Sequence, residues 1–592
     1  MLARYGSWVE KTPHAVAVED RAHSFSYQEI DDVARSVMRR LEGRVSAGDI
    51  VAVCLDRSAA LVAVAVAVAR LGAVYLPLGP KPGERRLADL LAELRITAVI
   101  GSREALPGSG PEVELPVPSV GANALPMTVA EFVAPTPKAA SAPEGTFYAV
   151  LTSGSTGKPK AVAVGGESLS GLVRWYHDLS GLGPGDRISL LMAVPFDPHL
   201  GDLWGGLAYG ATLAVAPGAA RYSTDRLVEW YRSAKVDFSV LATPMAEPLL
   251  AGPWPQGLRL RNLLIGGDRL RSWPQPDATA RVHNVYGPAE ATINVTAALL
   301  NPAADRATPP IGNPIPGVTL CVVDDQGRIV PRGEAGELLI GGSCLAIGYL
   351  DQELTRERFV PAPEGAGVTR VYRTGDKVRM ADDGVLEFLG RLDDQVKISG
   401  VRIEPAEVEA ALEQDAQVRR VVVAVRRHER GRTGLVAFVE PVPGVVLDED
   451  VLLAGARAAL PLQAVPGAVY PVEDFPLNQN GKVDRAALLA GVPVESDGEL
   501  NGETQQQLAE LWRGLLGAES VHADSNFFEL GGNSMHAVAL AGAVKQTFGV
   551  ELSMKTVMGV RLLRELADAI DAERAQARSA GEPVGAAAVT EW

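Results

Sequence analysis

From about residue 20 to about residue 390 the chain alternates short β-rich runs with helical patterns. Ile50-Val51-Ala52-Val53-Cys54-Leu55, Ile188–Met192, Asp237–Leu241 and Leu263-Leu264-Ile265 read as strands. Gly and Pro punctuate the joints. Such alternation predicts α/β layers around buried sheets. The most apolar run, AALVAVAVAVA at Ala59–Ala69, ends at Arg70 and is too short to cross a bilayer, so it reads as a buried helix. A proline-rich patch around Leu106–Pro118 reads as surface loop. At 592 residues the chain exceeds what one core supports, and several domains are expected.

The pattern changes at Gly390-Arg391-Leu392-Asp393-Asp394-Gln395. A compact α+β unit follows, with a helix at Pro405–Gln414 and strands at Val421–Val425 and Leu435–Val439, ending near Arg485. Gly491–Gly502 (GVPVESDGELNG) is polar, acidic and rich in turn formers, hence a linker. Beyond it Leu508, Leu511, Trp512 and Leu515 follow the spacing of an amphipathic helix. Ser534–Phe548 and Leu562–Ile570 repeat the pattern, which makes a small helical bundle. The Ala/Gly/Ser-rich end from Ala575 to Trp592 reads as disordered.

Asp plus Glu (72) exceeds Lys plus Arg (56), for a formal charge of −16, which argues against a general nucleic-acid binder. Cys54, Cys321 and Cys344 lie far apart without a CxxC pair. That disfavours a disulfide scaffold or zinc site and points to a reducing cytoplasm. The start, MLARYGSWVEK, has no apolar signal core, and no membrane partner is expected.

The segment AVLTSGSTGKPK, Ala149–Lys160, begins like a strand and turns into hydroxylated residues, glycines and lysines. Gly154 and Gly157 are too close for a Walker loop, and Pro159 stands where that loop's magnesium-binding hydroxyl would be. Thr152, Ser153, Ser155 and Thr156, with Gly154, Gly157 and Lys158, can still wrap phosphate oxygens with hydroxyls and backbone N–H groups. A Ser/Gly surface turn is the other reading of the loop taken alone.

It does not stand alone. Tyr286-Gly287-Pro288-Ala289-Glu290-Ala291-Thr292, Gly336-Glu337-Leu338, Gly348-Tyr349-Leu350, Tyr372-Arg373-Thr374-Gly375-Asp376, Gly390–Lys397 and Asn480-Gly481-Lys482-Val483-Asp484-Arg485 follow in order. Together with the loop they resemble the adenylate-forming superfamily, which includes acyl-CoA synthetases, luciferases and the adenylation domains of nonribosomal peptide synthetases. The resemblance covers about residues 10–490. It implies attack of a substrate carboxylate on the α-phosphate of ATP with loss of pyrophosphate, cations and oriented donors meeting the developing charge. By resemblance Glu290 is a magnesium ligand, a carboxylate suited to a hard cation. Asp376 would take the ribose hydroxyls, and Arg391 is among the nucleotide contacts. Tyr286, Gly266 and Gly267 would face the adenine. Lys482 would bridge the substrate carboxylate and the ribose and act as the catalytic lysine. Asp393 would be the hinge about which the small domain rotates.

Phe527-Phe528-Glu529-Leu530-Gly531-Gly532-Asn533-Ser534-Met535 resembles the attachment site of peptidyl carrier domains. Ser534 would carry 4′-phosphopantetheine at a helix start, where a phosphate ester is favoured. The expected architecture is then multidomain: an α/β adenylation core at 1–392, a small α+β subdomain at 393–490, a linker at 491–502, an all-α four-helix carrier bundle at 503–575 and a tail at 576–592. The resemblance implies activation of an amino acid with ATP and Mg²⁺ and its transfer to the carrier thiol. No HHxxxDG or GxSxG motif is found, so a downstream condensation or tailoring enzyme would act in trans. A phosphopantetheinyl transferase is the other implied partner, and an MbtH-like activator an optional one.

Phe196-Asp197-Pro198-His199 resembles the block in which amino-acid-activating members keep an aspartate for the substrate α-ammonium. Aligning the motifs gives a lining of Phe196, Pro198, Gly201, Leu241, Leu263, Ile265, Val285, Ile293 and Asn294. This lining is largely apolar and without charge, with Gly201 opening space. A neutral, small to medium amino acid of the proline, valine, leucine or alanine kind fits, and Asn294 leaves room for a polar or hydroxylated side chain. His199 is either a pocket neighbour or a loop histidine. Gly79, Ala289, Ile347, Ser399 and the Ala161–Gly166 stretch depart from the family pattern without removing Glu290, Asp376 or Lys482. Two alternatives remain at this stage: a ligase of the same fold for a non-amino or β-amino acid, and an inactive scaffold presenting the carrier.

Overall fold

The computed structural model describes all residues except 22, 81, 95, 102–111, 116–126, 131–141, 153–159, 222, 302–307, 393–395, 399–400, 428–432, 477–482, 493–497, 517, 519, 528–529, 531, 533, 551, 553–555, 558–559, 561 and 580–592. The chain forms two compact units, the second beginning at Val396.

In the first unit a nine-stranded sheet runs in the order Asn313–Pro314, Thr296–Leu299, Arg281–Tyr286, Asn262–Gly266, Phe238–Ala242, Arg187–Leu190, Thr212–Val215, Val16–Asp20, His23–Ser26. Its six strands from Arg281–Tyr286 to Val16–Asp20 are parallel, as expected when both faces are covered. A six-stranded sheet holds Gly348–Tyr349, Lys160–Gly165, Thr146–Thr152, Val74–Pro77, Ile50–Cys54 and Ala98–Gly101. One buried cluster joins side chains of both sheets with the helices Tyr27–Leu41, Ala59–Arg70, Gly166–Ser180 and Pro198–Tyr209. The run AALVAVAVAVA therefore forms a helix with every residue from Ala59 to Ala69 buried. Ser58 caps it by accepting from the Leu61 N–H.

The first residues support the same core. Helix Leu2–Lys11 packs on Pro198–Tyr209, where the Trp8 indole N–H donates to the Ala208 carbonyl at 3.1 Å. Gly210 ends that helix with φ +79, and a Cβ there would lie 2.9 Å from the Trp8 ring. A third, antiparallel sheet of Val318–Val323, Ala335–Gly342, Arg370–Met380, Phe359–Pro361 and Leu386–Arg391 completes the unit.

The second unit opens with the hairpin Val396–Ile398 and Val401–Ile403 and the helix Pro405–Leu412. Val418–Arg427, Thr433–Pro441 and Ala468–Pro471 then form a three-stranded sheet. Farther on, Gly502–Leu516, Ser534–Phe548 and Leu563–Ser579 are helices around Leu508, Trp512, Phe527, Leu540, Val544 and Leu566.

Two expectations need correction. The patch around Leu106–Pro118 contains a strand, Glu112–Leu115, paired antiparallel with Met127–Ala130. Its Glu-Val-Glu-Leu alternation is a period-two signal that the surrounding prolines obscure. The last helix continues to Ser579, past Ala575 where disorder was expected to begin.

Candidate active site

Asp197 precedes the helix Pro198–Tyr209, whose first position is a proline with no N–H to satisfy. The Asp197 side chain makes no capping bond. It is buried, and its Oδ2 has no hydrogen-bond partner among the described residues. Burial, and secondarily the Glu290 charge, pushes its carboxyl up to about 7. Among the described residues no ion pair brings a cation to this carboxyl.

One turn on, Gly201 lies against Tyr176. A Cβ at Gly201 would stand 3.1 Å from the Tyr176 ring and hydroxyl. The absent side chain thus admits a protein ring and opens no space for substrate, contrary to expectation. Asn294 Nδ2 donates to the Tyr176 hydroxyl at 3.0 Å. His199 is wholly buried in the helix, its Nδ1 2.5 Å from the Phe196 carbonyl and its Nε2 facing the Tyr75 hydroxyl at 3.5 Å. Burial pushes it down to about 4, so it is a neutral core histidine and not a loop residue.

The expected lining splits between the two faces of the nine-stranded sheet. Val285 and Ile293 share the cluster of Tyr176, Leu200 and Trp204, on the side of Asp197. Leu241, Leu263 and Ile265 pack on the other side with Leu249, Trp254 and Leu270. Successive strand residues point to opposite faces, so an alignment off by one residue exchanges the two sets. Phe238, Val240 and Leu264 are the residues of those strands that share the cluster of Val285.

Glu290 sits in a short helical turn, Ala289–Ala291, and is fully buried. The Tyr349 hydroxyl donates to its Oε1 at 2.7 Å. Directly after the turn Thr292 and Ile293 take φ of 59° and 70°, rare for β-branched residues. The Thr292 hydroxyl donates to the Cys344 carbonyl at 2.7 Å and helps hold this conformation. At Gly287 a Cβ would come 2.8 Å from the Asn294 Cα, so only glycine fits beneath the turn.

Asp376 lies in the strand Arg370–Met380 and is held from several sides. The Tyr286 hydroxyl donates to Oδ2, Arg391 pairs with Oδ1 at 2.6 Å, and the Thr374 hydroxyl takes its N–H at 2.9 Å. The Tyr286 ring packs among Ala291, Val295 and Leu338. Glu337 binds both Arg373, at 2.6 Å, and the Gly375 N–H, at 3.1 Å, which ties Gly336-Glu337-Leu338 to the Asp376 segment. Gly266 ends its strand where a Cβ would meet the Val285 carbonyl at 2.8 Å; Gly267 follows with φ +98.

Of the phosphate loop, Thr152 is described; Ser153, Gly154, Ser155, Thr156, Gly157 and Lys158 lie outside the described residues, as do Asp393 and Lys482. Thr152 and Lys160 are registered partners on adjacent antiparallel strands, so the two ends of the loop face each other. Ser534 is the first residue of the helix Ser534–Phe548. Tyr176 and Leu264 escape a reading of the sequence alone. The Gly348-Tyr349-Leu350 block is the signal for Tyr349, whose role only the bond to Glu290 reveals.

Residues 6–350 match the AMP-binding enzyme family. The chain belongs to this family. Residues 407–482 match the AMP-binding enzyme C-terminal domain, and residues 506–570 the phosphopantetheine attachment site. A linear gramicidin synthase of Brevibacillus parabrevis is 35% identical over 571 residues, 94% of this chain and 11% of that protein. Phosphinothricin tripeptide synthetase PhsC of Streptomyces viridochromogenes is 35% identical over 580 residues, 95% of this chain and 52% of that protein. The chain thus spans from 11% to 52% of the length of these two relatives. Among solved structures, holo-PA1221, an NRPS protein containing adenylation and PCP domains, superposes with a TM-score of 0.73 at 26% identity, covering 97% of this chain and 96% of that one. The Vibrio cholerae adenylation domain AlmE, in complex with glycyl-adenosine-5′-phosphate, gives 0.68 at 25% identity, covering 82% and 96%.

This AMP-binding enzyme is an adenylating ligase joined to a carrier domain, which carries 4′-phosphopantetheine. The described residues fit the implied groups. A buried carboxylate fixed by a tyrosine suits a magnesium ion at Glu290. A carboxylate held by Tyr286 and Arg391 suits paired ribose hydroxyls at Asp376. A helix start suits a phosphate ester at Ser534. Among the described residues no helix is long and apolar enough to cross a membrane.

Proposed function

We propose that this AMP-binding enzyme activates an α-amino acid as its adenylate and loads it onto its own carrier domain. The observation that carries the reading is the buried Asp197 carboxylate with an unpartnered oxygen. An α-ammonium is the cation that would complete it, and a buried charge without such a partner is costly. Asp376 would orient the ribose, and Glu290 the magnesium that neutralises phosphate charge. Lys482 would stabilise the adenylation transition state. The phosphopantetheine arm supplies the thiol that takes the acyl group. The Tyr148 and Tyr176 rings lie near Asp197, and Val285, Ile293 and Leu264 share the buried apolar cluster of these rings, which supports a neutral side chain of small to medium size. A phosphopantetheinyl transferase and a downstream peptide-synthetase partner go with the carrier; the partner's chemistry and any MbtH-like activator belong to this proposal.

ATP–pyrophosphate exchange across amino acids, β-amino acids and aryl acids tests the reading. Exchange is expected with α-amino acids; exchange confined to acids lacking an α-amine would overturn the use of Asp197. Ser534→Ala should leave exchange intact and abolish covalent loading in intact-protein mass spectra. Loading that persists in that variant would remove Ser534 from its role.

A further inference from the structure

Gly201 and Gly205 follow Asp197 at intervals of four residues, and Asp197 already has the backbone angles of a helix. The three positions therefore lie in one row along the helix, about one turn apart. The second and third members of the row carry no side chain, and the Tyr176 ring lies over them. A Cβ at Gly201 would stand 3.1 Å from this ring, and one at Gly205 3.5 Å. The ring comes from the helix Gly166–Ser180, which packs on Pro198–Tyr209. It is wholly buried and held on two further sides. Its hydroxyl accepts from Asn294 Nδ2 at 3.0 Å, and its centroid stands 5.3 Å from that of Phe238 in the nine-stranded sheet. The Asp197 charge opposes ionisation of the Tyr176 phenol, so carboxyl and phenol lie near each other. Ile293, the neighbour of Asn294, shares the ring's buried cluster. The expected lining residues Gly201, Ile293 and Asn294 thus gather about a side chain that belongs to none of the motifs.

We propose that Tyr176 is the end wall of the side-chain pocket and sets the length of the amino acid that the enzyme activates. This rests on the reading of Asp197 as partner of the α-ammonium. The substrate side chain leaves the carbon that bears the ammonium, so it starts beside Asp197. The ring stands one turn farther along the same row, an axial distance of about 6 Å. A short aliphatic side chain ends before the ring, whereas a phenyl group meets it. Clamped between the two glycines, Asn294 and Phe238, the ring cannot turn aside without breaking a close-packed core.

The test is pyrophosphate exchange by the full chain on a graded series of alanine, valine, leucine, phenylalanine and tyrosine. Wild type should prefer an aliphatic member to phenylalanine on the order of 10²-fold in kcat/KM. Tyr176→Ala removes the ring and leaves a space of the kind that admits benzene in other protein cores. In this variant the ratio of phenylalanine to the aliphatic substrate should rise on the order of 10²-fold. A purely structural role would lower all substrates together and leave the ratio where it was, and that result would overturn the inference. Tyr176→Leu keeps more of the packing; it should move the ratio the same way by a smaller factor, and it decides the matter should Tyr176→Ala fail to fold. Wild type that uses phenylalanine or tyrosine as well as the aliphatic members would overturn the inference without any variant, while leaving Asp197 in place. Exchange with no α-amino acid at all would bring down the parent reading, and this one with it.

Discussion

The substitution Asp197→Asn keeps the shape of the side chain and removes its ability to ionise. In the folded chain burial, with a lesser contribution from Glu290, takes this carboxyl from the ordinary 3.8 to about 7. The folded state therefore keeps a proton that the unfolded chain has already released. A raised value of this kind contributes stability that is fully present below pH 3.8 and is lost as pH rises through 7. At 1.36 kcal/mol for each pH unit the whole interval amounts to about 4 kcal/mol. Asparagine has no such dependence. The advantage of Asp197→Asn over wild type should grow by about 3 kcal/mol between pH 5 and pH 8. Urea titrations at several pH values, followed by tryptophan fluorescence, read this difference from the transition of the first unit. The same variant should lose at least about 10²-fold in amino-acid-dependent exchange, because a charge-assisted bond to the α-ammonium is gone. A stability difference that stays constant or narrows as pH rises would refute the picture of an uncompensated buried carboxylate.

Tyr349→Phe deletes the 2.7 Å hydrogen bond that orients Glu290. Exchange should fall about 10- to 100-fold, as for other groups that orient metal ligands, and half-saturation should move to higher magnesium; a magnesium titration of the exchange rate measures both. Gly266→Ala forces a Cβ to within 2.8 Å of the Val285 carbonyl and should destabilise the first unit by about 1–3 kcal/mol, seen as a lower midpoint in thermal unfolding.

The motifs were legible because their chemistry needs particular residue types at fixed spacing. Glu290, Asp376 and Asp197 are buried or held as a ligand site requires. The strand seeds were legible too, with ends moved by a residue or a few: Leu263-Leu264-Ile265 became Asn262–Gly266, and Val421–Val425 became Val418–Arg427. What failed was the choice of face. Leu263 and Leu264 are chemically identical, and only the assembled sheet decides which one shares a cluster with Tyr176. Tyr176 could not be found from spacing, because its surroundings are made by segments more than 100 residues apart, as in its bond with Asn294. The paired charges of Glu337 and Arg373 are a further case, in which motif residues of no evident chemistry prove to hold the Asp376 strand.

The support that the first residues give to the core bears on recombination. Val16–Asp20 and His23–Ser26 are strands of the same sheet as Asn262–Gly266 and Arg281–Tyr286, and Trp8 braces the far end of the helix that begins after Asp197. A chimera joined downstream of Ser26 would pair one parent's brace with the other parent's pocket helix. The natural joint for exchanging specificity lies ahead of Leu2–Lys11, so that the indole, Gly210 and the helix that follows Asp197 travel together.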